Sequence, residues 1–184
     1  MSKCQGALTL FCAVMLFTVH WSSPVAPAVD KDAEKNEGSV AGILIDKKDK
    51  WIIVKADGED EPVKYLLGDG TDKKLTDALK TIFDASRVQL TYKKDGDSRQ
   101  LVGIKKQVLK ASGTVTGIVV KVYNEFWVEV KPKNGLSDAY APGAAFFKNK
   151  DLMEKLKGLQ KGDTVTITFT TDFERHRIET LKKN

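Results

Sequence analysis

The sequence predicts a mainly β protein made of two tandem repeats, each with one helix. The segments GSVAGILIDKKDKWIIVK (38–55) and GTVTGIVVKVYNEFWVEVK (113–131) share a glycine, three residues, a second glycine, a branched apolar run, a tryptophan, a valine and a lysine. The apolar patterns that follow each copy also come in the same order. A chain that repeats one pattern of elements is expected to repeat one structural unit.

A glycine lies inside the first predicted strand of each repeat, at Gly42 and Gly117. Branched apolar residues flank both, which favours a strand that bends or bulges at the glycine. In the first repeat the apolar residues change parity, from Val40 to Ile43 and Ile45, as expected if one extra residue is inserted there. We therefore expect each glycine to mark a corner of its first strand; the alternative is a simple turn glycine.

Alternation in the second strand separates an inner face from an outer one, because successive side chains of a strand point to opposite sides. The predicted inner residues are Ile52 and Val54 in the first repeat, and Phe126, Val128 and Val130 in the second. The predicted outer residues are Trp51, Ile53 and Lys55 in the first repeat, and Trp127, Glu129 and Lys131 in the second. Each repeat thus presents a tryptophan and a lysine on the outer side of its second strand.

A helix and two more strands complete each repeat. The helical spacing places Leu75, Ala78, Leu79 and Ile82 on one face behind Thr71 or Asp72 as the N-cap, and Leu152, Leu156 and Leu159 on one face of a second helix that ends at Gly162. Alternating strands follow, with inward residues Val88, Leu90 and Tyr92, then Val165, Ile167 and Phe169. The last strand of each repeat is expected near 101–105 and 177–181.

The order of three strands, one helix and two strands resembles the OB-fold, a five-stranded barrel with its helix between the third and fourth strands. The resemblance covers residues 38–184, as two OB-like barrels at 38–110 and 111–184. The chain is also similar to exported bacterial proteins of unassigned role that carry one or two OB-like modules. These resemblances imply a binding module, and they name no ligand.

The resemblance also implies a place for the ligand. In OB-folds the outer face of strands two and three is the usual platform, where rings stack on bases or sugars and lysines meet anionic groups. The third strands supply a tyrosine each. The candidate ligand-binding residues are Trp51, Lys55, Tyr65, Trp127, Lys131 and Tyr140. The alternative is that the tryptophans pack at the junction of the two barrels, because the cores of such small barrels are marginal and an interface stabilises them.

The first 28 residues resemble an export signal. Lys3 precedes the uncharged stretch ALTLFCAVMLFTV, and Ala26 and Ala28 form a small-residue cleavage site. We expect cleavage after Ala28, with an uncleaved anchor as the alternative, and a disordered acidic leader over 29–37. Both cysteines lie in the signal, so the expected location is the periplasm or the cell exterior, without disulfides.

The remaining motifs give no indication of catalysis. The sequence contains no Ser/His/Asp arrangement and no glycine-rich phosphate loop, so we expect no enzyme and no cofactor. The acidic loops at 57–62, 69–72 and 95–97 lack the ligand ladder of a calcium loop and are typical of turns, so no metal is expected. The cluster Arg175–His176–Arg177 would either touch an anion or form a solvated strand edge.

Two classes of function follow. The first is a non-catalytic envelope or secreted module that binds an anionic or glycan polymer on the outer faces of strands two and three. The second is a structural or protein-interaction module with the tryptophans buried between the barrels. The expected partner is an envelope glycan, an anionic polymer or another exported protein; single-stranded nucleic acid ranks lower because an exported protein meets little of it. Each repeat carries a formal net charge of +3, within +5 for the whole chain, unlike a dedicated DNA binder.

Overall fold

The computed structural model describes residues 36–124 and 126–184, which form ten strands and three helices. The first repeat contains β1 (Glu37–Lys48), β2 (Trp51–Ala56), β3 (Val63–Leu66), α1 (Lys73–Thr81), β4 (Arg87–Asp95) and β5 (Ser98–Lys106). The second contains β6 (Ser112–Tyr123), β7 (Trp127–Pro132), β8 (Asp138–Pro142), α2 (Ala144–Phe147), α3 (Lys150–Lys157), β9 (Thr164–Asp172) and β10 (Arg175–Lys183). The predicted order is confirmed, with the short α2 as an addition.

Each repeat closes into a five-stranded barrel. The strand orders are β1-β2-β3-β5-β4 and β10-β8-β7-β6-β9. The β3–β5 and β8–β10 pairs are parallel and the other pairs are antiparallel. The chain is therefore mainly β, as two tandem OB-like barrels. Both belong to one compact unit.

The predicted glycine corners are confirmed. The first part of β1 pairs with β4 and its second part pairs with β2, and the two pairings overlap at Gly42. Gly117 takes the same place in β6, between β9 and β7. A Cβ on Gly42 would overlap the carbonyl oxygen of Lys55, and one on Gly117 would lie 2.5 Å from that of Lys131. Only glycine lets the two backbones approach so closely.

The bulge predicted at the glycine lies further along the strand. The register of β1 against β2 shifts after Leu44, and that of β6 against β7 shifts after Val119. The change of parity at Ile43 and Ile45 has another cause: both side chains point out of the first barrel and pack against the second one, while Leu44 packs inside. Apolar residues at both odd and even positions of the strand therefore indicate that both of its faces are covered.

Two separate cores fill the barrels. The predicted inward residues of β2, β7 and β9 are buried, as are Val88 and Leu90 of β4 and Leu75, Leu79 and Ile82 of the α1 segment, whereas Tyr92 of β4 is only partly buried. Asp72 is the N-cap of α1, where its carboxylate accepts a hydrogen bond from the Lys74 backbone. Phe126 was expected inside but is 58% exposed, because it belongs to the turn before β7.

The helix predicted in the second repeat corresponds to α3 and is shorter than predicted. It ends at Lys157 and is capped by Gly158, whereas Gly162 lies in the following turn with φ of 96°. The export signal at 1–28 falls outside the described residues, as does most of the 29–37 leader. The predicted disorder of the leader is wrong for its last residue, because Glu37 begins β1 and pairs with Lys93. Within the described part of the chain, no helix is long and apolar enough to cross a membrane.

Candidate functional site

The two barrels meet in an apolar interface. Ile43 and Ala85 of the first barrel pack against β6, β7 and β8 of the second, where the contacting residues are Tyr123, Trp127, Ala139 and Ala141. The rings of Tyr123 and Trp127 stack at 3.9 Å between centroids with an angle of 9°. Trp127 is only 5% exposed. One of the two predicted platform tryptophans is therefore packed between the barrels.

A buried ion pair lies within this interface. The Lys55 ammonium group of the first barrel donates a hydrogen bond to the Glu129 carboxylate of the second, at 2.7 Å between Nζ and Oε1. The other carboxylate oxygen accepts a hydrogen bond from the Tyr123 hydroxyl at 3.2 Å. Burial and the neighbouring Glu129 charge raise the pKa of Tyr123, so this hydroxyl remains a donor. Each charge of the pair is thus matched where water is excluded.

Polar contacts also cross the rim of the interface. Arg87 of the first barrel forms an ion pair with Asp57, and its Nη1 donates a hydrogen bond to the Ser137 carbonyl oxygen of the second barrel at 2.9 Å. Asp138 lies 4.0 Å from the same guanidinium and 3.2 Å from His176 Nε2. The two barrels are therefore joined by apolar, ionic and hydrogen-bonded contacts.

Residues in matching positions have opposite environments in the two repeats. Trp127 is buried while Trp51 is partly exposed, and Lys55 is buried while Lys131 is exposed. The reason is that the interface uses different parts of the two second strands: Lys55, near the end of β2, meets Glu129 in the middle of β7. Two equal outer faces, as the repeat predicts, are therefore not present.

The two predicted tyrosines lie inside the barrels. Tyr65 is fully buried and Tyr140 is 4% exposed. Each ring makes an edge-on contact inside its own barrel, Tyr65 with Tyr92 and Tyr140 with Phe169. Burial raises the pKa of both tyrosines. Their strands alternate so that neighbouring residues, and not the tyrosines, face outward.

The first barrel keeps an open surface on the outer side of β2 and β3, which we call the Trp51 face. It consists of Trp51, Ile53, Lys64 and Leu66. The Lys64 ammonium group lies 5.1 Å from the centre of the Trp51 ring, within range of a cation–π contact. Lys64 forms no ion pair with any described carboxylate.

The surroundings of the Trp51 face add positive charge. Lys48 and Lys50 are exposed on the turn between β1 and β2, next to Trp51, together with Asp49 and with Asp46, which lies 3.9 Å from the Lys48 ammonium group. The acidic segment 57–61 follows the opposite end of β2. A ring with exposed lysines around it can stack on a flat or ring-shaped unit and attract its negative charge.

Of the six residues predicted from sequence, only Trp51 and Lys131 reach the surface, and they lie on different barrels. The residue that sequence reasoning missed is Lys64. Its signal was present, because Lys64 alternates with the inward Tyr65 in EPVKYLLG and must therefore share the outer face with Trp51. In the described part of the chain, no group of three or more His, Cys, Asp or Glu side chains is placed to hold a metal ion.

The sequence matches no protein-family model and no curated protein. Among solved structures, the chain is similar to a multidomain protein with nucleic-acid-binding domains from Streptococcus pneumoniae, with 17% sequence identity and a TM-score of 0.25. The similarity covers 77% of this chain and 44% of that one, so this chain spans less than half of its length. A similarity of this size does not extend to function.

Proposed function

We propose that the protein is a non-catalytic binding module that holds an anionic polymer on the Trp51 face. The observation that carries the proposal is the Lys64 ammonium group at 5.1 Å from the Trp51 ring on the outer side of β2 and β3. Ring and cation together match a polymer whose units combine a flat or cyclic body with a negative charge. Both acidic glycans and single-stranded nucleic acids have this chemistry.

The location of the face supports the same function. The outer side of strands two and three is where OB-like barrels usually bind oligonucleotides and oligosaccharides. In the second barrel this side is covered by the first barrel, so the Trp51 face is the one that remains open. Export would favour the glycan, and the signal over 1–28 on which export depends stays a prediction.

Fluorescence anisotropy with three labelled probes tests the proposal: polygalacturonate as an acidic glycan, oligothymidylate as a nucleic acid, and dextran as a neutral glycan. We expect binding of the polyanions that weakens with added salt, and no binding of dextran. Trp51→Ala should weaken binding about tenfold or more, since stacking on one ring contributes about 1–3 kcal/mol. Lys64→Gln should weaken it and reduce its dependence on salt.

Lys133→Gln is the matched control, because Lys133 is an exposed lysine of the second barrel. Thermal melts establish that each variant is folded. The tighter of the two polyanions identifies the polymer class. If Trp51→Ala and Lys64→Gln bind both polyanions as well as Lys133→Gln does, the Trp51 face is not the binding site.

A further inference from the structure

The first barrel docks on the second through a small patch of three residues, which we call the Ile43 patch. Ile43 lies on β1, Lys55 lies opposite it on β2, and Ala85 precedes β4. The two apolar residues pack against the second barrel, and the lysine pairs with a carboxylate there. We call the surface that the patch covers the Trp127 face; it consists of Tyr123, Trp127, Glu129, Ala139 and Ala141.

The second barrel carries the same patch at the equivalent place. Ile118 of β6 lies opposite Lys131 of β7, as Ile43 of β1 lies opposite Lys55 of β2. Gly162 precedes β9 as the third member. We call Ile118, Lys131 and Gly162 the Ile118 patch.

Backbone hydrogen bonds confirm the third equivalence. The Ala85 N–H donates to the Leu44 carbonyl oxygen at 2.8 Å, and the Gly162 N–H donates to the Val119 carbonyl oxygen at 2.9 Å. Leu44 and Val119 are the buried residues that follow the two isoleucines. Ala85 and Gly162 also share a left-handed backbone, with φ of 66° and 96°. The turn that completes the patch is therefore the same in both barrels.

The Ile118 patch is open with the first barrel in place. Ile118 is 53% exposed, whereas Ile43 is 2% exposed, and Lys131 and Gly162 are exposed too. Lys131 lies near the acidic loop 57–60 but forms no ion pair with a described carboxylate. One exposed isoleucine is ordinary by itself. Here it comes with the lysine and the turn that form an interface in the other repeat.

A second copy of the chain does not fit this patch. The Trp127 face of any copy is covered by its own first barrel. The open Trp51 face has Ile53 in the place of Glu129, and it has Lys64 in the place of Ala139. Lys131 would meet a second lysine there and no carboxylate, which opposes docking.

We propose that the Ile118 patch docks the outer face of strands two and three of an OB-like barrel in a partner protein. The partner's face carries a carboxylate that pairs with Lys131, a small residue beside it, and apolar groups that pack on Ile118. This is the chemistry of the Trp127 face, which occupies the equivalent Ile43 patch. Because such an interface joins two different surfaces, it can be repeated from one barrel to the next. The inference does not depend on the proposed function, since it uses another surface on the other barrel.

A variant of this chain can serve as the probe, because its open Trp51 face can be given the residues of the Trp127 face. The changes are Lys48→Tyr, Ile53→Glu, Lys64→Ala and Leu66→Ala, at the positions equivalent to Tyr123, Glu129, Ala139 and Ala141. Ile118→Ser in the same probe removes its own patch, so that it does not assemble with itself. We expect the fluorescently labelled probe to form a one-to-one complex with the wild-type chain in sedimentation velocity.

Variants of the unlabelled chain locate the contact. Lys131→Gln should weaken the complex about tenfold or more, because it leaves the new carboxylate of the probe without a counter-charge. Ile118→Ser should also weaken it, because the apolar contact is lost. Lys148→Gln is the matched control, since Lys148 is an exposed lysine at the end of α2 in the same barrel, and it should bind as the wild type does.

Thermal melts establish that each variant is folded. If the five changes unfold the probe, a version with only Ile53→Glu, Lys64→Ala and Ile118→Ser replaces it. The proposal is overturned if the folded probe forms no complex with the wild-type chain, or if it binds the Lys131→Gln and Ile118→Ser variants as tightly as the control. Self-association of the wild type that is lost in Ile118→Ser would also overturn it, and would make a second copy the occupant.

Discussion

The Lys55 ammonium group on the first barrel lies 2.7 Å from the Glu129 carboxylate on the second, in the buried interface of the two repeats. The side chain of Lys55 is 10% exposed and that of Glu129 is not exposed at all. In the first repeat, Ile53 takes the place of Glu129 on the outer face, so only one of the two faces carries this charge. The ion pair therefore specifies which outer face meets the other barrel.

Removal of one partner should destabilise the protein strongly. Glu129→Gln leaves the Lys55 charge buried without a counter-charge, and we expect the free energy of unfolding to fall by about 3 kcal/mol or more. Urea denaturation measures this free energy of unfolding. The control is Glu37→Gln, which breaks the 3.0 Å pair with Lys93 at the surface, where both side chains are more than half exposed; it should cost less than about 1 kcal/mol. Equal losses in the two variants would show that Lys55 reaches water.

Replacement of both partners should be tolerated far better. Lys55→Met together with Glu129→Leu removes both buried charges and keeps the volume apolar, which is often neutral or stabilising. We expect the double variant to recover most of the stability lost in Glu129→Gln, again by urea denaturation. A double variant as unstable as the single one would mean that shape or the Tyr123 hydrogen bond, and not charge, dominates at this site.

The corner of the first barrel should accept no side chain. Gly42→Ala places a Cβ against the Lys55 carbonyl oxygen, a backbone atom that cannot move without breaking the β1–β2 pairing. We expect a loss of about 3 kcal/mol, at the upper end for an overpacked site. Gly103→Ala in β5 is the control, because its Cβ would meet nothing nearer than Thr91 at 3.8 Å; it should be neutral or slightly stabilising. Similar melting temperatures for the two variants would contradict this assignment.

The barrels themselves could be predicted because burial inside each one follows from local alternation. Ile52, Val54, Val128 and Val130 alternate with outward residues, and all four are fully buried. Gly42 could be assigned to a corner from its apolar neighbours alone. Phe126 could not be placed, because the turn that removes it from the strand depends on a backbone hydrogen bond to Tyr123 that no alternation reveals.

The sequence could not predict which outer face is covered by the other barrel and which stays open, since Trp51 and Trp127 have almost the same local sequence. What separates them is Glu129 in the place of Ile53, together with the residues on the neighbouring strands. Ala139 leaves room beside Glu129 for the first barrel to dock, whereas Lys64 fills the matching place beside Ile53. The available signal for the covered face was a small residue beside a single acid on an outer face. This signal indicates an interface only once the partner surface, which lies far away in the sequence, is known.

Tryptophan emission should distinguish the two rings directly. In a Trp21→Phe background, a further Trp51→Phe change leaves Trp127, which should emit at short wavelength and be quenched weakly by acrylamide, because it is stacked on Tyr123 and 5% exposed. Leaving Trp51 instead, by Trp127→Phe, should give redder and more readily quenched emission. Equal quenching constants for the two proteins would contradict the burial of Trp127 between the barrels.

The carboxyl group of Asp84 should give the protein a characteristic pH dependence. Burial is the main cause that raises the pKa of Asp84, with a further contribution from Asp46, while Lys47, Arg175 and Lys48 act in the opposite direction. An acid whose folded pKa is raised binds its proton more tightly when folded. Its contribution to stability is therefore favourable in acid and declines as pH rises through the raised value.

Asp84→Asn removes this ionisation, so the variant should be more stable than the wild type at neutral pH, and the difference should shrink as the pH falls towards the ordinary aspartate range. Urea midpoints measured at a series of pH values test the sign. Asp77→Asn is the control, because Asp77 pairs with Lys80 on the exposed side of α1 and should show a smaller change over the same range. A variant less stable than the wild type at neutral pH would show that attraction between Asp84 and Arg175 outweighs the cost of burial.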